Sequence, residues 1–264
     1  MKRVFALMLA LLMLLSLVAC SSEEDGEEDD EADMAVTNTD LVYRPAENPN
    51  NESFYYEYIN IDEVRILSYT SNANTQHAVT VPAQIDQRNV TAIADNAFKS
   101  CTNITAVNLP DTVVSIGDSA FYRCTSLVAV KMPAALTTVG DTAFAYCDKL
   151  AGISITSNVT AIGKGAFCGC TALSSAVLPE SLTALPEMLF MDCTLLKTVT
   201  WSTKGETIGS SAFAGCALLE NFAFPATLSA VGQCAFQNCT KQATPVLDAG
   251  VSVGTNAFYG TIGG

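Results

Sequence analysis

Ten cysteines and a single histidine are the residues of this 264-residue chain best suited to act as nucleophiles, redox pairs or metal ligands. Seven of the cysteines, Cys101, Cys124, Cys147, Cys170, Cys193, Cys216 and Cys239, recur every 23 residues. Stacked repeats would hold them in parallel about 4.8 Å apart, a poor match to the convergent, ~3.8 Å Cβ pair of a disulfide. One thiol per repeat also builds no four-ligand tetrahedron for zinc. The nearest approach to a ligand pair, Cys168-Gly169-Cys170, has no second pair and no histidine close by. The expectation is therefore a column of buried thiols. His77 follows the polar stretch "SNANTQ" and reads as a solvated loop imidazole, since no Ser or Cys nucleophile motif surrounds it. Paired catalytic carboxylates and a phosphate-cradling glycine loop are not visible either. The sequence thus nominates no catalytic residue, no metal and no cofactor, and the expectation is a protein that is not an enzyme.

Cys20 stands apart. It ends "MKRVFALMLALLMLLSLVAC", in which Lys2 and Arg3 precede an apolar stretch from Val4 to Ala19, the layout of a signal peptide. Its 16 residues fall short of the ~20 of a spanning helix. Leu17-Val18-Ala19-Cys20 resembles the lipobox of bacterial lipoproteins, which implies that Cys20 becomes the first mature residue and carries acyl chains. Several acyl chains anchor stably where one would not. The resulting expectation is an exported protein, lipid-anchored to a bacterial membrane and exposed at the cell surface.

Charge excludes one class of partner. Loss of residues 1–20 removes two bases, leaving 11 Lys plus Arg against 27 Asp plus Glu, a formal charge of −16. Nine of those acids fall in "SSEEDGEEDDEAD", a run that repels itself and reads, with the unpatterned residues after it, as an acidic, disordered tether over 21–52. No basic stripe remains to track phosphates, so nucleic acid is not expected as a partner.

The elements that position the cysteines repeat with them. Phe98, Phe121, Phe144, Phe167, Phe190, Phe213 and Phe236 keep the 23-residue interval, as do Val107, Val130, Ile153, Ala176, Val199 and Phe222. A fixed period in the twenties with strand-like alternation in each unit signals a solenoid of stacked coils. In one unit, Val130-Lys131-Met132 alternates in, out, in, and Pro133 ends the strand. Gly140 then supplies a turn, Asp141 is placed as a cap, and Ala143-Phe144 is read as one helical turn packed on the next coil. Each coil would be stable only against its neighbours. Trp201 occupies an inward slot and is expected to fill the space left at Gly205.

These units, of the form "L..I.LP..L..IG..AF..C", resemble the BspA-like subclass of leucine-rich repeats from about Val79 to Phe258. The resemblance implies an α/β solenoid with a parallel sheet on one face and short helical turns on the other. It also implies a surface-exposed bacterial adhesin or binding protein. Ahead of the repeats, residues 53–82 read as short N-terminal cap strands, and 83–264 as the solenoid. Alternation places Asn108, Lys131, Ser154, Val177, Thr200 and Asn221 outward on the sheet, a face for a protein or glycan partner on a host or neighbouring cell. The competing reading is a structural envelope component or spacer without a specific ligand.

Overall fold

A computed structural model describes residues 41–45, 51–71, 75–155 and 157–264. The segment read as a signal peptide, Cys20, and residues 21–40 and 46–50 of the segment read as tether lie outside the described residues. The chain enters through strand β1 (Val42–Tyr43), which pairs antiparallel with β2 (Ser53–Tyr58), itself antiparallel to β3 (Glu63–Thr70). A strand thus forms inside the segment read as tether, where Val42 and Tyr43 lie opposite Tyr55 and the fully buried Phe54.

Parallel stacking starts earlier than the repeats do in sequence. β3 runs parallel to β6 (Arg88–Ile93) with Ile66 opposite Ile93, and β4 (His77–Thr80) runs parallel to Ile104–Asn108 with Val79 opposite Val107. β3 and β4 therefore extend the stack by an additional coil, with Tyr69 stacked on Phe98 at 5.1 Å. The long connection before Val90 is itself a hairpin between β5 (Gln84–Ile85) and β6, turning through Asp86 and Gln87 at φ 50° and 63°. Two positive φ angles are what a tight hairpin turn requires, but Asp-Gln carries no glycine to announce it.

Later coils contribute to two short parallel ladders, those after Thr200 to one of them only. One is in two sections, a sheet of β4, Ile104–Asn108 and Ala129–Lys131 and a separate sheet of Gly152–Ser154, Ser175–Val177 and Thr198–Thr200. The other passes Ser115–Ile116, Thr138–Val139 and Ala161–Ile162, then restarts at Ala184–Leu185 and continues to Ser252–Val253. The restart has a chemical cause. At this corner the N–H of Gly140 donates to Ile116 and that of Gly163 to Val139, each at 2.8 Å. The equivalent residue of the next coil is Pro186, which has no N–H to give.

On the remaining side the expected helical turns do not form, and among the described residues there is no helix. N–H groups alternate in direction. Those of Ser119, Phe121 and Arg123 reach sideways to the carbonyls of Asp141, Ala143 and Ala145, at 2.8, 2.7 and 2.9 Å. Those of Tyr122 and Cys124 turn back three residues, to Ser119 and Phe121. A backbone that spends every second donor on its neighbour has none left for an i→i−4 helix. The geometry needs two left-handed residues per coil, two before and two after the Phe: Ser119 and Arg123 at φ 54° and 58°, Thr142 and Tyr146 at 50° and 59°. Each costs roughly 1–2 kcal/mol in a residue other than glycine, offset by the sideways bonds.

Two local expectations change accordingly. Asp141 caps the next coil rather than its own, its Oδ1 accepting from the N–H of Lys164 at 2.7 Å, as Asp118 does for Asp141. Gly140 does not adopt a left-handed turn. It is glycine because a Cβ there would lie 2.6 Å from both Asp118 N and Gly117 C of the preceding coil.

The core is one column of rings. Phe98, Phe121, Phe144, Phe167, Phe190 and Phe213 are fully buried and stack at centroid distances of 4.8 to 5.7 Å. The column extends through Tyr69 to Phe54 at one end and through Phe236 to Phe258 at the other. Burying each ring stabilises the fold by roughly 1.5–3 kcal/mol, with stacking adding to it.

Candidate functional site

The sheet side carries the outward residues. Gly152 and Ser154 flank buried Ile153, Ser175 and Val177 flank buried Ala176, and Thr198 and Thr200 flank Val199. Register places Ser154, Val177 and Thr200 side by side, and Asn108 beside Lys131. All five are exposed, Val177 to 45%. Asn108 donates to Thr80 Oγ1 at 3.3 Å. Lys131 Nζ lies 3.1 Å from Asp111, whose carboxyl is held below its usual range by that ammonium and by the N–H of Ala134. The pair leaves the face close to neutral. Its small side chains keep the ladder backbone near the surface.

Asn221, the sixth outward residue, is not on this sheet. Its backbone is left-handed at φ 53° and the ladder ends at Thr198–Thr200. The N–H of Phe222 instead donates to Oε1 of Gln242 at 2.9 Å. Gln242, 4% exposed, occupies the slot filled by Leu in other coils, so a side-chain amide replaces a strand neighbour. A glutamine in an apolar slot was the available sequence signal. Trp201 is committed to the core as expected, its ring end lying over Gly205 and its Nε1–H donating to Leu182 O at 2.7 Å.

The thiol column has a hydrogen-bonding task. Cys124, Cys147, Cys170, Cys193, Cys216 and Cys239 each direct Sγ to the carbonyl of a Phe 26 residues earlier, Phe98 to Phe213 in turn, at 3.1 or 3.2 Å. Cysteine satisfies that buried carbonyl while still packing as a small apolar residue. Burial pushes Cys170 and Cys239 up to about 12 and Cys193 and Cys216 well above the ordinary thiol range. Thiolate is the reactive form, so these groups are inert in the folded chain. Cys234, partly exposed, is not part of the column. Cys101, the first of the seven, is likewise only half-buried, so under native conditions a thiol reagent is expected to label Cys234 first and to reach the six buried thiols only after denaturant is added. Mass spectrometry of labelled peptides checks this, and fast native labelling of Cys170 would contradict it.

His77 is not the solvated loop imidazole the sequence suggested. It starts β4 with its side chain 8% exposed. Nδ1 lies 3.0 Å from the carbonyl of Thr75, while Nε2 meets the Tyr69 hydroxyl at 2.9 Å and Glu52 at 3.6 Å. Burial and the Glu52 carboxylate hold the Tyr69 phenol well above its ordinary pKa. These contacts tie the first coil to the aromatic column. The polar flank hid them, because Glu52 and Tyr69 reach His77 only through the fold.

Comparison with known proteins agrees with this geometry. A family model described as a BspA type leucine rich repeat region matches in 6 copies, over residues 81–197 and 138–263. A leucine-rich repeat protein of T. pallidum is 28% identical, with a TM-score of 0.64, over 78% of this chain and 86% of that one. A leucine rich cell surface protein of Faecalibacterium prausnitzii is 32% identical with a TM-score of 0.66, over 77% of this chain and 54% of the other. A leucine-rich repeat protein of Bacteroides ovatus is 26% identical with a TM-score of 0.58, over 78% and 67% of the two chains. No curated protein matches.

Proposed function

Because this chain belongs to the BspA-type leucine-rich-repeat family, we propose that it is a lipid-anchored, cell-surface adhesion protein that recognises a protein or glycan through its sheet face. One observation carries the reading: five outward residues on successive strands form an exposed, nearly neutral surface that the core does not use. Hydrophobic burial and the bonds from thiol to Phe carbonyl lie inside the coils, so Asn108, Lys131, Ser154, Val177 and Thr200 stay exposed for contact. A shallow face with backbone close below it lets a partner approach several coils at once, as solenoid surfaces commonly do. The F. prausnitzii relative, described as a cell surface protein, supports the location, and Cys20 supplies the anchor.

The test is capture from host and bacterial surface extracts by the immobilised protein, compared with the triple variant Ser154→Glu, Val177→Glu and Thr200→Glu. All three side chains point to solvent, so the melting curve is expected to stay within a few degrees of the parent while capture is lost. Partners retained at parental levels by a folded triple variant would move the interface off this face. Equal capture by a bare support would favour a spacer. For the anchor, the protein is expected in the detergent phase of a Triton X-114 partition and Cys20→Ala in the aqueous phase. Identical partitioning of the two would remove the lipoprotein reading.

A further inference from the structure

A second surface lies on the turn side, where Lys99, Arg123 and Tyr146, close after the inward Phe of three successive coils, are exposed. Lys99 Nζ is 5.7 Å from the ring centroid of Tyr122, and Arg123 Cζ is 5.4 Å from Tyr122 and 5.8 Å from Tyr146. The two tyrosines meet edge-on, at 5.5 Å and 81°. Tyr146 is 40% exposed and lies against the bare backbone of Gly169, where a Cβ would come within 2.5 Å of its ring. Three successive coils thus hold two rings and two cations in one fixed group.

Neither cation is paired with an acid among the described residues. Among the described residues, ion pairs engage Arg65, Lys131 and Lys164, with Glu57, Asp111 and Glu187. Neither Lys99 nor Arg123 joins one, in a chain with 27 acids to 13 bases. Two unpaired bases gathered around one tyrosine in so acidic a chain leave a local positive site. Arg123, oriented by rings that accept no strong hydrogen bond, keeps its forked donors available to a carboxylate.

We infer that Lys99, Tyr122, Arg123 and Tyr146 form a docking site for an acidic peptide segment of a partner protein, separate from the sheet face. A peptide fits better than a sugar because Tyr122 already meets two cations and the edge of Tyr146, which leaves little bare ring for a pyranose to stack on. Tyrosine and arginine are also the side chains that contribute most at protein interfaces.

Fluorescence anisotropy with a labelled octaglutamate peptide, at about 0.15 M salt where distant charges are screened, tests the site on the purified protein. The parent is expected to bind. Arg123→Asn, whose new side chain tolerates the left-handed backbone, is expected to weaken binding about tenfold or more, and Arg123→Lys to fall between the two. Lys99→Gln is expected to weaken binding less than Arg123→Asn, and Lys241→Gln, an equal loss of charge elsewhere, to leave it unchanged. The site is overturned if the parent does not bind, if Arg123→Asn binds like the parent, or if Lys241→Gln weakens binding as much. It is overturned as a peptide site if a heparin oligosaccharide binds more tightly than the peptide and depends on the same residues.

Discussion

Phe144→Ala is expected to lower the free energy of unfolding by about 3–5 kcal/mol, the range for deleting a ring from a core that cannot collapse around the gap. Phe144 is fully buried, with Phe121 stacked at 5.0 Å and 4° on one side and Phe167 at 5.5 Å and 5° on the other. Both neighbours are fixed by their own coils, and the N–H of Phe144 donates to Ala166 O at 2.8 Å. The cavity therefore stays open. Phe258 is only partly buried, so Phe258→Ala is expected to cost much less. Denaturant unfolding of the two variants checks this, and equal losses would contradict a column whose strength depends on neighbours on both sides.

Gly140→Ala is expected to destabilise by about 1–3 kcal/mol or more, the cost of forcing an extra carbon into a packed contact. The Asp118 carboxylate is the nearest obstruction and could swing aside, but backbone stands directly behind it. The new Cβ would meet Asp118 N and Gly117 C, each at 2.6 Å, and rotamer changes cannot relieve that. The N–H of Gly140 is also held to Ile116 O at 2.8 Å, so the coil cannot move away without breaking its ladder. Gly250 is the control, because nothing lies within 4 Å of the added carbon. Gly250→Ala is expected to leave the unfolding midpoint nearly unchanged. If Gly140→Ala unfolds at the parent midpoint, close approach of the coils is not what that position requires.

The parts of this fold written in side-chain pattern were legible in the sequence. The 23-residue return of Phe144 and Cys147 revealed the coils, and the alternation around Ile153 and Ala176 revealed an outward face that the strands display. What depended on bonds between coils was not legible. Thr142 and Tyr146 give no sign that their backbones are left-handed, because carbonyls one coil away impose that conformation. Gly140 looked like a turn residue because close contact with the preceding coil's backbone leaves the same single-letter signature. His77 drew its environment from Glu52 and Tyr69, and Asn221 lost its strand through Gln242, twenty-one residues later. The turn-side cluster keeps the 23-residue slots, Lys99 with Tyr122 and Arg123 with Tyr146, but the residue type changes within each slot, so no letter repeats. Sequence periodicity is blind to features that only one or two coils carry.

Hydrogen exchange resolved to single amides tests the coil-on-coil bonding most directly. The N–H groups of Phe121, Phe144, Phe167 and Phe190 each donate to a carbonyl of the next coil, at 2.7, 2.8, 3.0 and 2.8 Å. These four are expected to exchange slowly and together, through openings that approach global unfolding, while the amide of Phe258 exchanges far faster. Exchange of Phe144 as fast as Phe258, or at rates unrelated to those of its neighbours, would contradict a solenoid held together coil upon coil.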